Sequence, residues 1–138
     1  MCIRDSPWID ATTDIASEDP LTLKSFGQLS VRLHAAEALL ERSGEFLDIA
    51  QTNTTASTVA AASIAVAEAR AISTEVALSA ASTLFELAGS QATLAEYGLD
   101  RHWRNARVHT LHDPVRWKYH VVGNWLLNGV NPPRHDWS

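Results

Sequence analysis

The stretch from Ala56 to Leu87 constrains the fold most, because alanine is its commonest residue. Alanine has the highest helix propensity of any residue, and small side chains let helices approach one another closely. Val59, Val66, Ile72, Val76, Leu84 and Leu87 supply bulk at intervals along it. The pattern predicts one long helix over about Ala56 to Leu87, stopped at Ala88-Gly89.

Upstream, Asp19-Pro20 is a helix-start signal, a capping carboxylate followed by a residue that needs no N–H in the first turn. Phe26, Leu29, Leu33, Ala36, Leu40 and Leu47 then recur at helical spacing. They predict a helix from Pro20 to about Gln51, with Gly44 a weak interior point, and Thr52 to Thr55 breaks the pattern. Downstream, Ser90 to Gly98 reads as a connection with one helical turn over Leu94 to Tyr97. A third helix is expected over Leu99 to Leu111, and a fourth over Pro114 to Leu127 with Asp113 as its cap. Val121, Val122, Trp125 and Leu126 are expected on the buried side of the fourth helix, which Asn128-Gly129 ends.

No stretch alternates as a strand does. The expected fold is all-α, an antiparallel four-helix bundle with two long helices and then two shorter ones. Residues 1–18 are expected to be disordered or extended, 19–130 to form the bundle and 131–138 to be a tail. Met1 to Ser6 shows no periodicity and connects poorly to the residues after it, which suggests a non-native start on a truncated chain. The apolar stripes exceed what one small bundle can cover, so the surplus is expected to pack on other domains or subunits.

Composition narrows the function. At 138 residues, 46% hydrophobic and 20% charged, the chain is one ordinary globular domain or a piece of a larger enzyme. It has no apolar run of membrane-spanning length and no secretory leader pattern. A lone cysteine, Cys2, fits a reducing compartment, and a cytoplasmic location is expected. Residues 101–120 carry five basic side chains and one acid, a local +4 that leaves −9 for the rest of a chain of net charge −5. One cationic segment on an acidic scaffold suits a small anionic group and not a nucleic-acid surface.

That segment, Gly98 to His120, holds His102, His109, His112 and His120. On a helix, His102, Asn105, His109 and His112 fall at spacings of three, four and three and share one face. Three readings stand side by side. The imidazoles are solvated filler at a bundle end; or they ligate a metal; or they form an acid/base wall, with His112-Asp113 projecting from the helix break before Pro114. Nothing in the pattern supplies the Glu-x-x-His pairs of a di-metal carboxylate site, and no metal is expected. Arg101, Arg104 and Arg107 read most simply as partners of the acidic scaffold, and Trp103, Trp117 and Trp125 as core or interface anchors.

The order of elements, with FELAGSQAT ending the alanine-rich helix and LDRHWRNARVHTLHDP following it, resembles the C-terminal helical domain of the acyl-CoA dehydrogenase superfamily. RHWRNARVHTLHDPVRWKYHVVGNWLLNG is most similar to that superfamily's flavin-dependent monooxygenase branch, which acts on small organosulfur compounds in desulfurisation and sulfur acquisition. Arg104-Asn105-Ala106-Arg107 matches a family element that is mainly structural. Asp113 falls where dehydrogenases of one common type carry a catalytic glutamate followed by glycine, but here Pro114 follows. The monooxygenase pattern instead maps onto Thr110-Leu111-His112-Asp113-Pro114, and its histidine faces the flavin.

The resemblance implies that His112 is catalytic, with Asp113 and His109 as lesser candidates. It places Gly89, Ser90, Gln91 and Asn105 at a flavin, the Gly89-Ser90-Gln91 turn serving an adjacent subunit. It implies reduced FMN supplied by a separate flavin reductase, with FAD the alternative, and Glu86 near the cofactor disfavours a pyrophosphate. It also implies N-terminal and middle domains outside this chain, a homotetramer, a small-molecule substrate, and an inactive fragment when the chain stands alone. Two other functions remain open: an FAD-dependent acyl-CoA dehydrogenase with Asp113 as base, and a non-catalytic helical oligomerisation module.

Overall fold

A computed structural model describes residues 13–134; the expected non-native start and the end of the tail lie outside the described residues. Four helices follow a short 3-10 turn at Ala16–Glu18: α1 (Pro20–Thr52), α2 (Ala56–Ala88), α3 (Asp100–His112) and α4 (Val115–Asn128). Each lies within a residue of its expected span at both ends. A second 3-10 turn, Ser90–Thr93, precedes the expected turn at Leu94 to Tyr97, where the Tyr97 N–H donates to the Leu94 carbonyl at 3.1 Å. Among the described residues there is no strand.

Local chemistry sets the helix ends. The Asp19 carboxylate accepts the Thr22 backbone N–H at 2.7 Å, with Pro20 in the first turn. At α2 the Thr55 hydroxyl accepts the Thr58 N–H at 3.1 Å, and the Thr58 hydroxyl accepts the Thr55 N–H at 3.0 Å. That is a reciprocal capping box with threonine in the place usually held by a glutamate. Gly89 ends α2 at φ 72°, a conformation a β-carbon disfavours. Gly44 leaves α1 unbroken.

α2 is the centre of the fold. It packs along α1 and also against α3 and α4. Its buried residues form two stripes on opposite sides: Ala60, Ile64, Ala67, Ala71, Thr74 and Ala81 on one, Ala62, Ala65, Ala69 and Val76 on the other. Ala67 lines a cleft under α4, so the first stripe faces α3 and α4 and the second faces α1. Arg32 donates to the Ser79 hydroxyl, and Arg42 pairs with Glu68, so residues later in α1 meet residues earlier in α2 and the pair is antiparallel.

Outside α2 the expected burial is only partly met. Of the α1 stripe, Ala36 is buried and Leu29 half-buried, whereas Phe26, Leu33, Leu40 and Leu47 are exposed. On α4, Val121 and Val122 are half-buried, but Leu126 is 74% exposed and Trp125 37%. The cause is geometric: α1 and α4 each pack mainly on α2, and a helix with one neighbour buries one narrow seam.

Candidate active site

Pro114 ends α3, since a proline disfavours helical backbone in the residue before it. Asp113 is accordingly extended, at φ −134° and ψ 99°, and α4 begins at Val115. Contrary to the expectation from the sequence, the Asp113 side chain does not cap α4, whose N-cap is Pro114. Its Oδ2 lies 3.1 Å from Lys118 Nζ and 3.9 Å from an Arg70 guanidinium nitrogen on α2. Two cations within reach draw the carboxylate away from the backbone N–H groups of the new helix.

Beside this break lies a cleft of about 810 Å³. Ser63 and Ala67 of α2 form a wall without bulk, His112 and Asp113 sit at the break, and Trp117 and Val121 of α4 face across. Pro132 and Pro133 close the far side, beyond the turn at Gly129 (φ 66°) that lets the chain fold back after α4. His120 and Asn124 add polar groups, and the His120 ring stands edge-on to Trp117 at 5.6 Å. The next residue, Tyr119, donates its hydroxyl to the Glu75 carboxylate and so ties α4 to α2. The hydrogen bond to Glu75, helped by burial and by the negative charge itself, pushes the Tyr119 phenol up to about 12.

The expected site residues fall into three places. His112 and Asp113 line the cleft together. His109 and Asn105 are exposed on α3 with His102; their shared face points away from α2 and they do not line the cleft. Gly89, Ser90 and Gln91 are exposed beyond the far end of α2, about 33 Å from Ala67 at the standard helical rise. Among the described residues no group of three or more His, Cys, Asp or Glu side chains is placed to hold a metal ion. Sequence reasoning passed over Trp117, His120, Val121 and Asn124 as a site, although their three- and four-residue spacing marks one face of α4. It also passed over Arg70, for which there is no local signal. Arg104 pairs with Asp100 one turn away at 3.0 Å, the structural role expected of it.

The fold and cleft define a helical domain whose histidine-bearing break opens beside an apolar, aromatic wall. Residues 7–117 match the acyl-CoA dehydrogenase C-terminal domain, and the chain belongs to that family. It is similar to the dibenzothiophene monooxygenase of Mycolicibacterium goodii, at 39% identity over 91% of this chain and 31% of that protein. It is also similar to a probable FMNH2-dependent monooxygenase, SfnC, of Pseudomonas putida, at 36% identity over 91% of this chain and 33% of that one. Among solved structures, the methanesulfinate monooxygenase MsuC of Pseudomonas fluorescens superposes with a TM-score of 0.92, at 34% identity over 99% of this chain and 37% of that one. The chain thus spans about a third of the length of these relatives. In the described residues no helix is long and apolar enough to cross a membrane.

Proposed function

We propose that this domain is one wall of the active site of a reduced-FMN monooxygenase acting on small organosulfur compounds. The observation that carries this reading is His112 at the α3–α4 break, opening into a cleft walled by Trp117 and Val121. The similarity to proteins named for dibenzothiophene, methanesulfinate and FMNH2 supports it. The cleft suits a flavin ring: a planar, largely apolar heterocycle with polar edges would find aromatic and proline side chains together with the polar groups of His112 and Asn124 in one lining. When bound, reduced flavin supplies the two electrons with which dioxygen gives one oxygen atom to sulfur and the other to water. The protein's part is to exclude water and manage protons. Trp117, Val121, Pro132 and Pro133 keep the wall dry. His112 holds or delivers a proton at the mouth, since imidazole both donates and accepts.

Gly89, Ser90 and Gln91 lie too far from the cleft to serve the same flavin ring, which supports their assignment to a flavin of an adjacent subunit in a homotetramer. The same proposal includes N-terminal and middle domains outside the matched third, a separate flavin reductase and a cytoplasmic setting. His109 and Asn105, on the outward face of α3, are proposed to meet one of those other domains. A dehydrogenase reading needs Asp113 as a base, and its pairing with Lys118 speaks against that.

His112→Ala in the flavin-loaded enzyme carrying this domain tests the reading. Product formation is expected to fall roughly hundredfold, the scale of a lost acid/base group, with hydrogen peroxide released in its place. Full coupling in that variant would overturn the role of His112. Chromatography of the flavin released from the enzyme decides between FMN and FAD.

A further inference from the structure

We infer that Asp113 is a positioning residue and not a base: clamped between Lys118 of α4 and Arg70 of α2, it fixes the break that carries His112 into the cleft. The inference rests on the proposed role of His112. No side chain caps the start of α4, while in the last turn of α3 the Thr110 hydroxyl donates to the Arg107 carbonyl at 2.9 Å. Pro114 contributes no N–H, and across the break the backbone adds the Trp117 N–H to Pro114 C=O bond at 3.1 Å. Backbone N–H groups left without a cap at the start of α4 favour fraying unless a side chain holds the junction.

The clamp supplies that hold. A single carboxylate oxygen serves both cations, at 3.1 and 3.9 Å. The three groups belong to three parts of the fold: Asp113 directly follows α3, Lys118 lies early in α4, and Arg70 is near the middle of α2. The Asp113 and Lys118 side chains are only 23% and 15% exposed. Charges shielded to that degree interact more strongly than surface pairs do, and removing one leaves the others under-compensated in a place where water is scarce. The contact therefore ties α3 and α4 to α2 at the residue next to His112. Lys118 lines the same cavity as His112.

The test uses the flavin-loaded enzyme carrying this domain, with Asp113→Asn, Lys118→Met, Lys118→Arg and His112→Ala compared side by side. Hydrogen–deuterium exchange over residues 109–117 reports the clamp; product formed per flavin oxidised, with kcat and KM, reports its consequence. Asp113→Asn and Lys118→Met are expected to speed exchange roughly tenfold, the scale of one lost charge-assisted hydrogen bond, while exchange in α1 stays unchanged. Both are expected to lower kcat and coupling with little change in KM. Lys118→Arg keeps the cation and restores exchange and coupling together, and the double variant Asp113→Asn/Lys118→Met is no worse than either single one. Unchanged exchange in Asp113→Asn overturns the clamp whatever the activity does. Faster exchange with full coupling in Asp113→Asn, alongside an uncoupled His112→Ala, overturns the positioning role and leaves the reading of His112 intact. Full coupling in His112→Ala overturns that reading itself, while the exchange data still report separately on the clamp.

Discussion

Tyr119 joins α4 to α2 through its bond to Glu75, and that bond carries a pH signature. The phenol is raised from 10.0 to about 12 because its neutral form is the one that donates to the carboxylate. A group whose pKa is raised by folding stabilises the fold fully below its unfolded value and loses that contribution as pH climbs through the folded one. The contribution is therefore present below pH 10 and fades toward pH 12. Tyr119 is half exposed, so the effect is small, below about 1 kcal/mol. Thermal melts between pH 9 and about 12 are expected to show Tyr119→Phe slightly less stable than the parent at the lower end and level with it at the upper. Equal stability throughout would show that the bond contributes nothing. The residue scale is also where the sequence was most and least informative. His112 and Asp113 were legible because Pro114 forces a break beside them, a purely local effect. Arg70 was not, because its pairing depends on how α2 and the break meet, and no spacing along the chain encodes that.

Helix boundaries were legible because they rest on neighbours in sequence: Asp19-Pro20, the threonines before α2, and Gly89. The faces of the helices were less so. A stripe such as Phe26, Leu33, Leu40 and Leu47 declares itself apolar without declaring what covers it, and here α2 covers the adjacent seam through Ala36 and Ser43. The packing and start of α2 can each be probed by one substitution. Ala65 is fully buried on the α1-facing stripe. Ala65→Leu is expected to cost about 1–3 kcal/mol by overpacking the close α1–α2 seam, read as a lower midpoint in denaturant; no change in midpoint would mean that the seam has room. The capping box at Thr55 and Thr58 is exposed and local. Thr55→Ala is expected to cost about 1 kcal/mol, with exchange rising first at the start of α2; a loss spread evenly over the molecule would argue against a local cap.

For the whole molecule, the balance between small buried residues and large exposed ones sets the behaviour. Ile64 is the one large side chain of the described residues that is almost completely buried, and alanines make up most of the rest of the core. Burial of a methyl group contributes only about 0.8 kcal/mol, so this core relies on close backbone approach and has little surplus stability. Meanwhile Phe26, Leu33, Leu40 and Leu47 stand seven residues apart on α1, which puts four exposed apolar side chains along one face of a long helix. Exposed apolar surface of this extent marks contact with other chain segments. In the proposed tetrameric enzyme this line lies in contact with another domain or subunit. Leu40, 63% exposed and near the middle of the line, is the place to probe it. Leu40→Glu puts a charge where an apolar contact is proposed, while leaving the α1–α2 seam untouched. Circular dichroism is expected to show undiminished helix, because the side chain makes little use of the domain's own core. Sedimentation of the full enzyme is expected to shift to smaller species, with faster loss of flavin on dilution, since the Gly89–Gln91 turn would no longer be held against its neighbour. An unchanged sedimentation profile would place the α1 line outside any assembly contact, whereas loss of helix would show that Leu40 is needed within the domain itself.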